Sequence, residues 1–225
     1  MGASSVIHPS GARHTVPLLY LIMDEKVSGL PFEEMALAAL KAGVRWIQYR
    51  EKTKSRREIY REALRLRELT DEFGATLIVN DHADIALAVE ADGVHLGQED
   101  LPLKEAREIM GDRIIGISTH SIEEALDAES GGADYIGFGP VFYTATKDAG
   151  KPKGLDMLRE IKRSVKIPVV AIGGISLRNL QSVLNAGADA VAAASAILKD
   201  GISENVRSFM EIINNSPRKI EDFSG

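Results

Sequence analysis

Short apolar runs alternate with amphipathic stretches from one end of the chain to the other. That rhythm restricts the possible folds more than any single motif does. LLYLIMD (Leu18 to Asp24) reads as a strand, and PFEEMALAALKAG after it as a helix, with Pro31 near its start and Gly43 at its end. The pairs continue as RWIQYREK with SRREIYREALRLRELTDEFG, TLIVND with HADIALAVEA, GVHLG with LPLKEAREIMG, and IIGISTH with SIEEALDAESGG. A polar loop, VFYTATKDAGKPKG, separates YIGFGP from LDMLREIKRSV. IPVVAIGG with SLRNLQSVLNAG and AVAAASAIL with SENVRSFMEIINN complete eight pairs. KAGVRWIQ, EADGVHLG, GGADYIGF and AGADAVAA each place alanine and glycine before a new strand, where glycine accepts the left-handed backbone that stops a helix.

Eight strand–helix units in 225 residues predict an α/β fold, a single (β/α)8 (TIM) barrel with its active site at the C-terminal strand ends. An open doubly wound sheet needs fewer strands and usually a G-x-G-x-x-G after the first, which is missing. The barrel is expected over residues 15–215, after a loose leader (1–14) and before a polar tail (216–225). Absent cysteine rules out disulfides and thiolate metal sites and suits the cytoplasm. No apolar run approaches the length that spans a bilayer, and the net charge of -6 disfavours nucleic acid as a bulk partner. Small molecules are the expected partners.

Each strand begins apolar and finishes polar. In RWIQYREK, alternation puts Trp46, Gln48, Arg50 and Lys52 on one face and Ile47 and Tyr49 on the other, so an amide and two cations aim into the barrel mouth. Asn80 and Asp81 end the third strand, Gly97 to Asp100 follow the fourth, and Ser118 to His120 end the fifth. Thr144, Thr146 and Lys147 follow the sixth, Gly173 and Gly174 end the seventh, and the eighth carries Ser195. Asp81 and Asp100, joined at one rim, suit a hard cation such as Mg2+. Arg50, Lys52 and Lys147 beside it suit a diphosphate. AIGGI and AAASAI suggest a second anion site, since barrel enzymes often bind phosphate there on backbone N–H groups.

Plainer roles stay open at this level. Arg50 and Lys52 also fit structural ion pairs with Glu51 or Asp81, Asp81 and Asp100 fit helix caps, and Gly173-Gly174 fits a turn. Thr144 and Thr146 fit ordinary loop residues, and His95 and His120 fit satisfied structural histidines. What favours a site is that all but the histidines converge on strand C-termini.

QYREK, VNDHADIALAVEADGVHLGQEDLP, GISTHS, GFGPVFYTATK with a following GL, AIGGIS and AAASAI together resemble the thiamine phosphate synthase family along nearly the whole chain. The resemblance implies a transferase of thiamine biosynthesis. It would join a hydroxymethylpyrimidine diphosphate to a thiazole phosphate, or its carboxylated form, and release diphosphate by a dissociative, Mg2+-assisted route. It implies that Gln48, Tyr49, Arg50, Glu51, Lys52, Asn80, Ser118 and Lys147 bind the pyrimidine diphosphate, with Ser118, Lys147, Arg50 and Lys52 catalytic. It also implies one Mg2+ on Asp81 and Asp100, and a thiazole phosphate site at Thr144, Ala145, Thr146, Gly174, Ala194 and Ser195. Ala194 stands where the family often has a larger aliphatic residue. The polar loop after the sixth strand is expected to close and bring Lys147 to the diphosphate. The rivals are a thiazole tautomerase of the same fold, with His120 as its acid–base group, and a non-catalytic precursor-binding protein.

Overall fold

A computed structural model describes residues 4–7, 13–144 and 150–216. The chain opens with β1 (Ser4–Ile7), β2 (Arg13–Val16), β3 (Leu19–Met23), α1 (Glu25–Ser28), α2 (Phe32–Lys41), β4 (Trp46–Tyr49) and α3 (Arg56–Glu72). It continues through β5 (Thr76–Asn80), α4 (Ala83–Ala88), β6 (Gly93–Leu96), α5 (Leu103–Met110), β7 (Ile114–Thr119), α6 (Ile122–Ser130) and β8 (Tyr135–Phe138). The last elements are α7 (Gly154–Ser164), β9 (Val169–Ile172), α8 (Leu180–Asn185), β10 (Ala190–Ala193), α9 (Ser195–Leu198) and α10 (Ile202–Asn215).

Strands β3 to β10 close into one barrel in the order β10-β3-β4-β5-β6-β7-β8-β9, with every neighbouring pair parallel. The TIM-barrel expectation therefore holds. β1, in the expected leader, pairs antiparallel with β2, which runs past residue 14 to Val16, as a ladder separate from the barrel sheet. Most of the expected tail, 217–225, lies outside the described residues.

The period-two pattern splits the core into two layers. Tyr20, Ile22, Trp46, Ile78, Ile114, Tyr135, Val170, Ala190 and Ala192 point inward and fill the barrel. Their strand neighbours, such as Leu21, Ile47, Leu77, Ile115 and Ile136, pack outward against the helices. A strand covered on both faces reads as a continuous apolar run, which is how these strands look in sequence.

Helix starts follow local chemistry. Ser55 and Glu58 form a reciprocal capping box that opens α3. Asp24 accepts the Lys26 N–H and opens α1, a helix the alternation does not reveal. The run AVAAASAIL, read as one strand, breaks after Ala193, and Ser195 begins the short α9. Alanine is the best helix former, so nothing in this run resists the turn.

The strand N-terminal ends are clamped by one repeated device. Asp92, Asp134 and Asp189 each stand just before a strand and accept a backbone N–H from the neighbouring strand: Leu77 at 2.7 Å, Ile115 at 2.7 Å and Val169 at 2.8 Å. The same carboxylate oxygens pair with a helix cation, respectively Arg67, Arg107 and Lys162. Three of the four alanine–glycine echoes thus carry an aspartate that ties strand to strand and strand to helix; KAGVRWIQ has none.

Candidate active site

The face of β4 that carries Trp46 and Gln48 turns inward as the alternation requires. Trp46 sits in the inner core, while Tyr49 packs outward against Phe32 and donates its hydroxyl to Glu62 at 2.7 Å. The Tyr49 side chain is therefore not among those brought to the mouth. Glu51 accepts the Thr53 hydroxyl at 2.7 Å and the backbone N–H groups of Thr53 and Lys54, and so pins the loop after β4. Arg50 reaches the mouth and pairs with Asp24, which shares the inward face of Tyr20 and Ile22. Lys52 pairs with Asp81 across the gap to the next strand.

Asp81 and Asp100 are not helix caps. The N-cap positions of α4 and α5 are His82 and Pro102, and neither start has a side-chain cap. Asp81 adopts φ 65° and donates its N–H to the His95 carbonyl at 2.8 Å. A non-glycine residue in the left-handed region stores strain, and such residues concentrate at functional sites. Asp100 accepts the Gly97 N–H at 2.6 Å. Burial, with Asp81 close by, raises the Asp100 carboxyl above the usual carboxylate range. Two carboxylates this close repel until a proton or a cation joins them.

Asn80 is buried beside this pair, and its side-chain Nδ2 has no partner among the described residues. A buried donor left unpaired is costly, and its cavity position gives a ligand something to satisfy. Ser118 lines the same cavity and hydrogen-bonds His95 Nε2 at 2.9 Å. His120 is held through Nδ1 by the Gly139 carbonyl at 2.7 Å and also lines the cavity.

On the opposite wall, Gly173 (φ 95°) and Gly174 (φ 65°) turn the chain after β9. A Cβ at Gly174 would lie 2.4 Å from the Tyr143 carbonyl oxygen, so only glycine fits there. Asn179 holds this turn by donating to the Gly174 carbonyl at 2.9 Å and accepting the Ser176 N–H at 2.8 Å. Ala194, Ser195 and Thr144 complete that wall. Ala145, Thr146 and Lys147, with the rest of the loop at 145–149, lie outside the described residues. Two connected spaces result. An outer cavity of about 930 Å³ and a deeper one of about 140 Å³ share Asp24, Arg50, Thr144, Gly174 and Ser195 in their walls.

Sequence reading passed over three residues here. Asp24 was signalled by the inward alternation Tyr20, Ile22, Asp24. Tyr20 and Tyr135 lie in apolar strand runs with no signal of their own, and their hydroxyls meet at 3.0 Å inside the barrel. Gln48 Nε2 donates to Tyr20 Oη at 2.8 Å, and Tyr135 Oη contacts His95 Nδ1 at 2.9 Å.

A family profile described as thiamine monophosphate synthase matches residues 19–197, which span β3 to α9. The chain belongs to the thiamine monophosphate synthase family. It is 50% identical over 204 residues to the thiamine-phosphate synthase of Caldicellulosiruptor saccharolyticus, covering 89% of this chain and 92% of that protein. It is 46% identical over 204 residues to that of Chloroflexus aurantiacus, covering 89% and 94%. The solved structure of a thiamine phosphate pyrophosphorylase from Pyrococcus furiosus superposes with a TM-score of 0.84 at 44% identity, over 89% of this chain and 96% of that one. Residues 19–197 contain every site residue named above, so family membership rests on the same segment that builds the cavity. Among the described residues, no helix is long and apolar enough to cross a membrane.

Proposed function

We propose that this protein is a thiamine phosphate synthase that joins a hydroxymethylpyrimidine diphosphate to a thiazole phosphate, or to its carboxylated form, at the barrel mouth. The observation that carries the reading is the pairing of opposites at one rim: two carboxylates, Asp81 and Asp100, beside two cations, Arg50 and Lys52. This arrangement suits a ligand that brings both a phosphate charge and a metal ion.

The residues present fit Mg2+. Asp81 and Asp100 offer only carboxylate oxygens. Among the described residues, no group of three or more His, Cys, Asp or Glu is arranged to hold a metal by itself. Mg2+ is usually held by one or two carboxylates, with water and substrate phosphates in its other positions. When bound there, it supplies positive charge to the diphosphate oxygens.

The chain's own residues then have separable tasks. Arg50 turns its fork from Asp24 toward the diphosphate, and Lys52 exchanges Asp81 for a phosphate oxygen. Lys147 is a third cation assigned on the family motif. In the deep cavity, Gln48, Asn80 and Ser118 hold the aminopyrimidine ring. The C–O bond to diphosphate breaks and its electron pair leaves with the diphosphate, while the electron-rich ring stabilises the methylene cation. The thiazole nitrogen then uses its lone pair to form the new C–N bond. With a carboxylated thiazole, carbon dioxide also leaves. Gly174, Ala194 and Ser195 hold the thiazole phosphate on the far wall. No protein base is needed, so catalysis is positioning and charge neutralisation.

The test is diphosphate release by purified protein given both substrates, with and without Mg2+. Release that requires both substrates and the metal supports the reading. Thiazole isomerisation with no diphosphate release would replace it with the tautomerase.

A further inference from the structure

Gln48 and Ser118 stand on different strands, β4 and β7, yet they are the two ends of one buried hydrogen-bonded chain. Gln48 Nε2 meets Tyr20 Oη at 2.8 Å, and Tyr20 Oη meets Tyr135 Oη at 3.0 Å. Tyr135 Oη meets His95 Nδ1 at 2.9 Å, and His95 Nε2 meets Ser118 Oγ at 2.9 Å. Tyr20 and Tyr135 are 1% and 0% exposed, so both hydroxyls are closed off from bulk water.

Each hydroxyl gives one proton and can accept two, so the chain takes a single direction when each buried proton is given within it. Gln48 Nε2 donates to Tyr20. The Tyr20 proton then goes to Tyr135, and the Tyr135 proton to His95 Nδ1. His95 must carry its own proton on Nε2 and donate it to Ser118. The Ser118 proton is thereby released toward the cavity, and the Gln48 carbonyl oxygen is left for a ligand donor. We infer that Tyr20, Tyr135 and His95 are positioning residues that set a donor at Ser118 and an acceptor at Gln48 together, and so select an amino-bearing ring over its oxo counterpart.

The barrel makes room for this chain at a cost to its strands. A Cβ at Gly116 would lie 2.0 Å from Tyr135 Cζ, and one at Gly137 would lie 3.0 Å from His95 Cε1. Glycine inside a strand weakens it, and here two of them vacate the space that the Tyr135 and His95 rings occupy. The selection follows from satisfiability. An oxo ring places a second acceptor against the Gln48 oxygen, and turning the amide to suit it reverses every donor down to Ser118.

The inference rests on the aminopyrimidine reading of the deep cavity, and its test separates the two. Steady-state kinetics are measured for wild type, Tyr135→Phe, Tyr20→Phe, His95→Gln and His95→Phe. The pyrimidine substrate is the 4-amino diphosphate or its 4-oxo analogue, and thiazole phosphate is varied in turn. Wild type is expected to prefer the amino substrate. Tyr135→Phe should lower kcat/KM for it by about ten- to a hundredfold and compress the amino-over-oxo preference, leaving the thiazole KM unchanged. His95→Gln, which can still accept and donate, should retain more activity than His95→Phe. Nitrogen NMR of the His95 ring should show the proton on Nε2 in wild type and lose that restriction in Tyr135→Phe. A wild type inert toward the amino substrate overturns the functional reading. An active wild type with the proton on Nδ1, or a Tyr135→Phe enzyme with undiminished preference, overturns the chain and leaves that reading intact.

Discussion

The Arg50 guanidinium is held by Asp24, whose carboxylate also accepts the Lys26 N–H at 3.0 Å. If Arg50 leaves Asp24 for the diphosphate, as proposed, its loss falls on that substrate alone. Arg50→Ala should lower kcat/KM for the pyrimidine diphosphate by a few kcal/mol in barrier, about the loss seen when one transition-state contact is deleted. Arg50→Lys should recover only part, because an ammonium has no planar fork. Kinetics with each substrate varied in turn, beside a melting curve, check this; equal loss for both substrates with a lowered Tm would make Arg50 a structural ion pair instead. The same scale shows what sequence can and cannot disclose. Gln48 and Arg50 were legible because strand alternation alone decides which way they face. Tyr49 and Glu51 came with the family motif, and their side chains serve the helix face and the loop after β4. Tyr20, Tyr135 and His95 were hidden because a buried hydroxyl or imidazole shows its role only through its partner, and these partners are far apart in sequence. Gly116→Ala should be among the most damaging small substitutions, since the tyrosine ring at 2.0 Å is rigid and enclosed. A cost of about 1–3 kcal/mol is typical of overpacking, and chemical denaturation measures it.

At the scale of elements, the aspartate clamps separate stability from chemistry. Asp134 is buried and takes both the Ile115 N–H and the Arg107 guanidinium, each at 2.7 Å, at the strand end away from the mouth. Asp134→Ala orphans the buried Ile115 N–H at about 1–3 kcal/mol, while Arg107, part-exposed, keeps the carbonyls of Gly111, Arg113 and Gly132. Asp134→Ala should therefore lower Tm while leaving both KM values near wild type; a normal Tm with an altered KM would contradict the division between the two ends of the barrel. Ser55→Ala should cost about 1 kcal/mol by opening the capping box of α3, again read by denaturation. The eight strand–helix units were readable because their apolar periods and most of their glycine stops are local; after α4 it is Glu90 (φ 56°) that takes the left-handed turn, and Gly93 belongs to β6. α1 and the break between β10 and α9 were not, because each depends on a short turn with no period of its own.

For the whole molecule, the barrel brings together residues from strands spread over most of the chain, and only closure puts Asp81 and Asp100 at one rim with Arg50 and Lys52. The fold class was legible, and so was the pairing of Lys52 with Asp81; the pairing of Arg50 with Asp24 rather than with Glu51 or Asp81 was not, since which cation meets which carboxylate is settled by the third dimension. We propose that these two carboxylates, Asp81 and Asp100, hold Mg2+ for a leaving diphosphate. The most direct measurement is diphosphate release against Mg2+ concentration for wild type, Asp81→Ala and Asp100→Ala, with circular dichroism confirming that each variant is folded. Wild type should show saturable, Mg2+-dependent release, and each folded variant should lose turnover that added Mg2+ does not restore. A folded variant with near wild-type activity and Mg2+ dependence would contradict the assignment of that carboxylate.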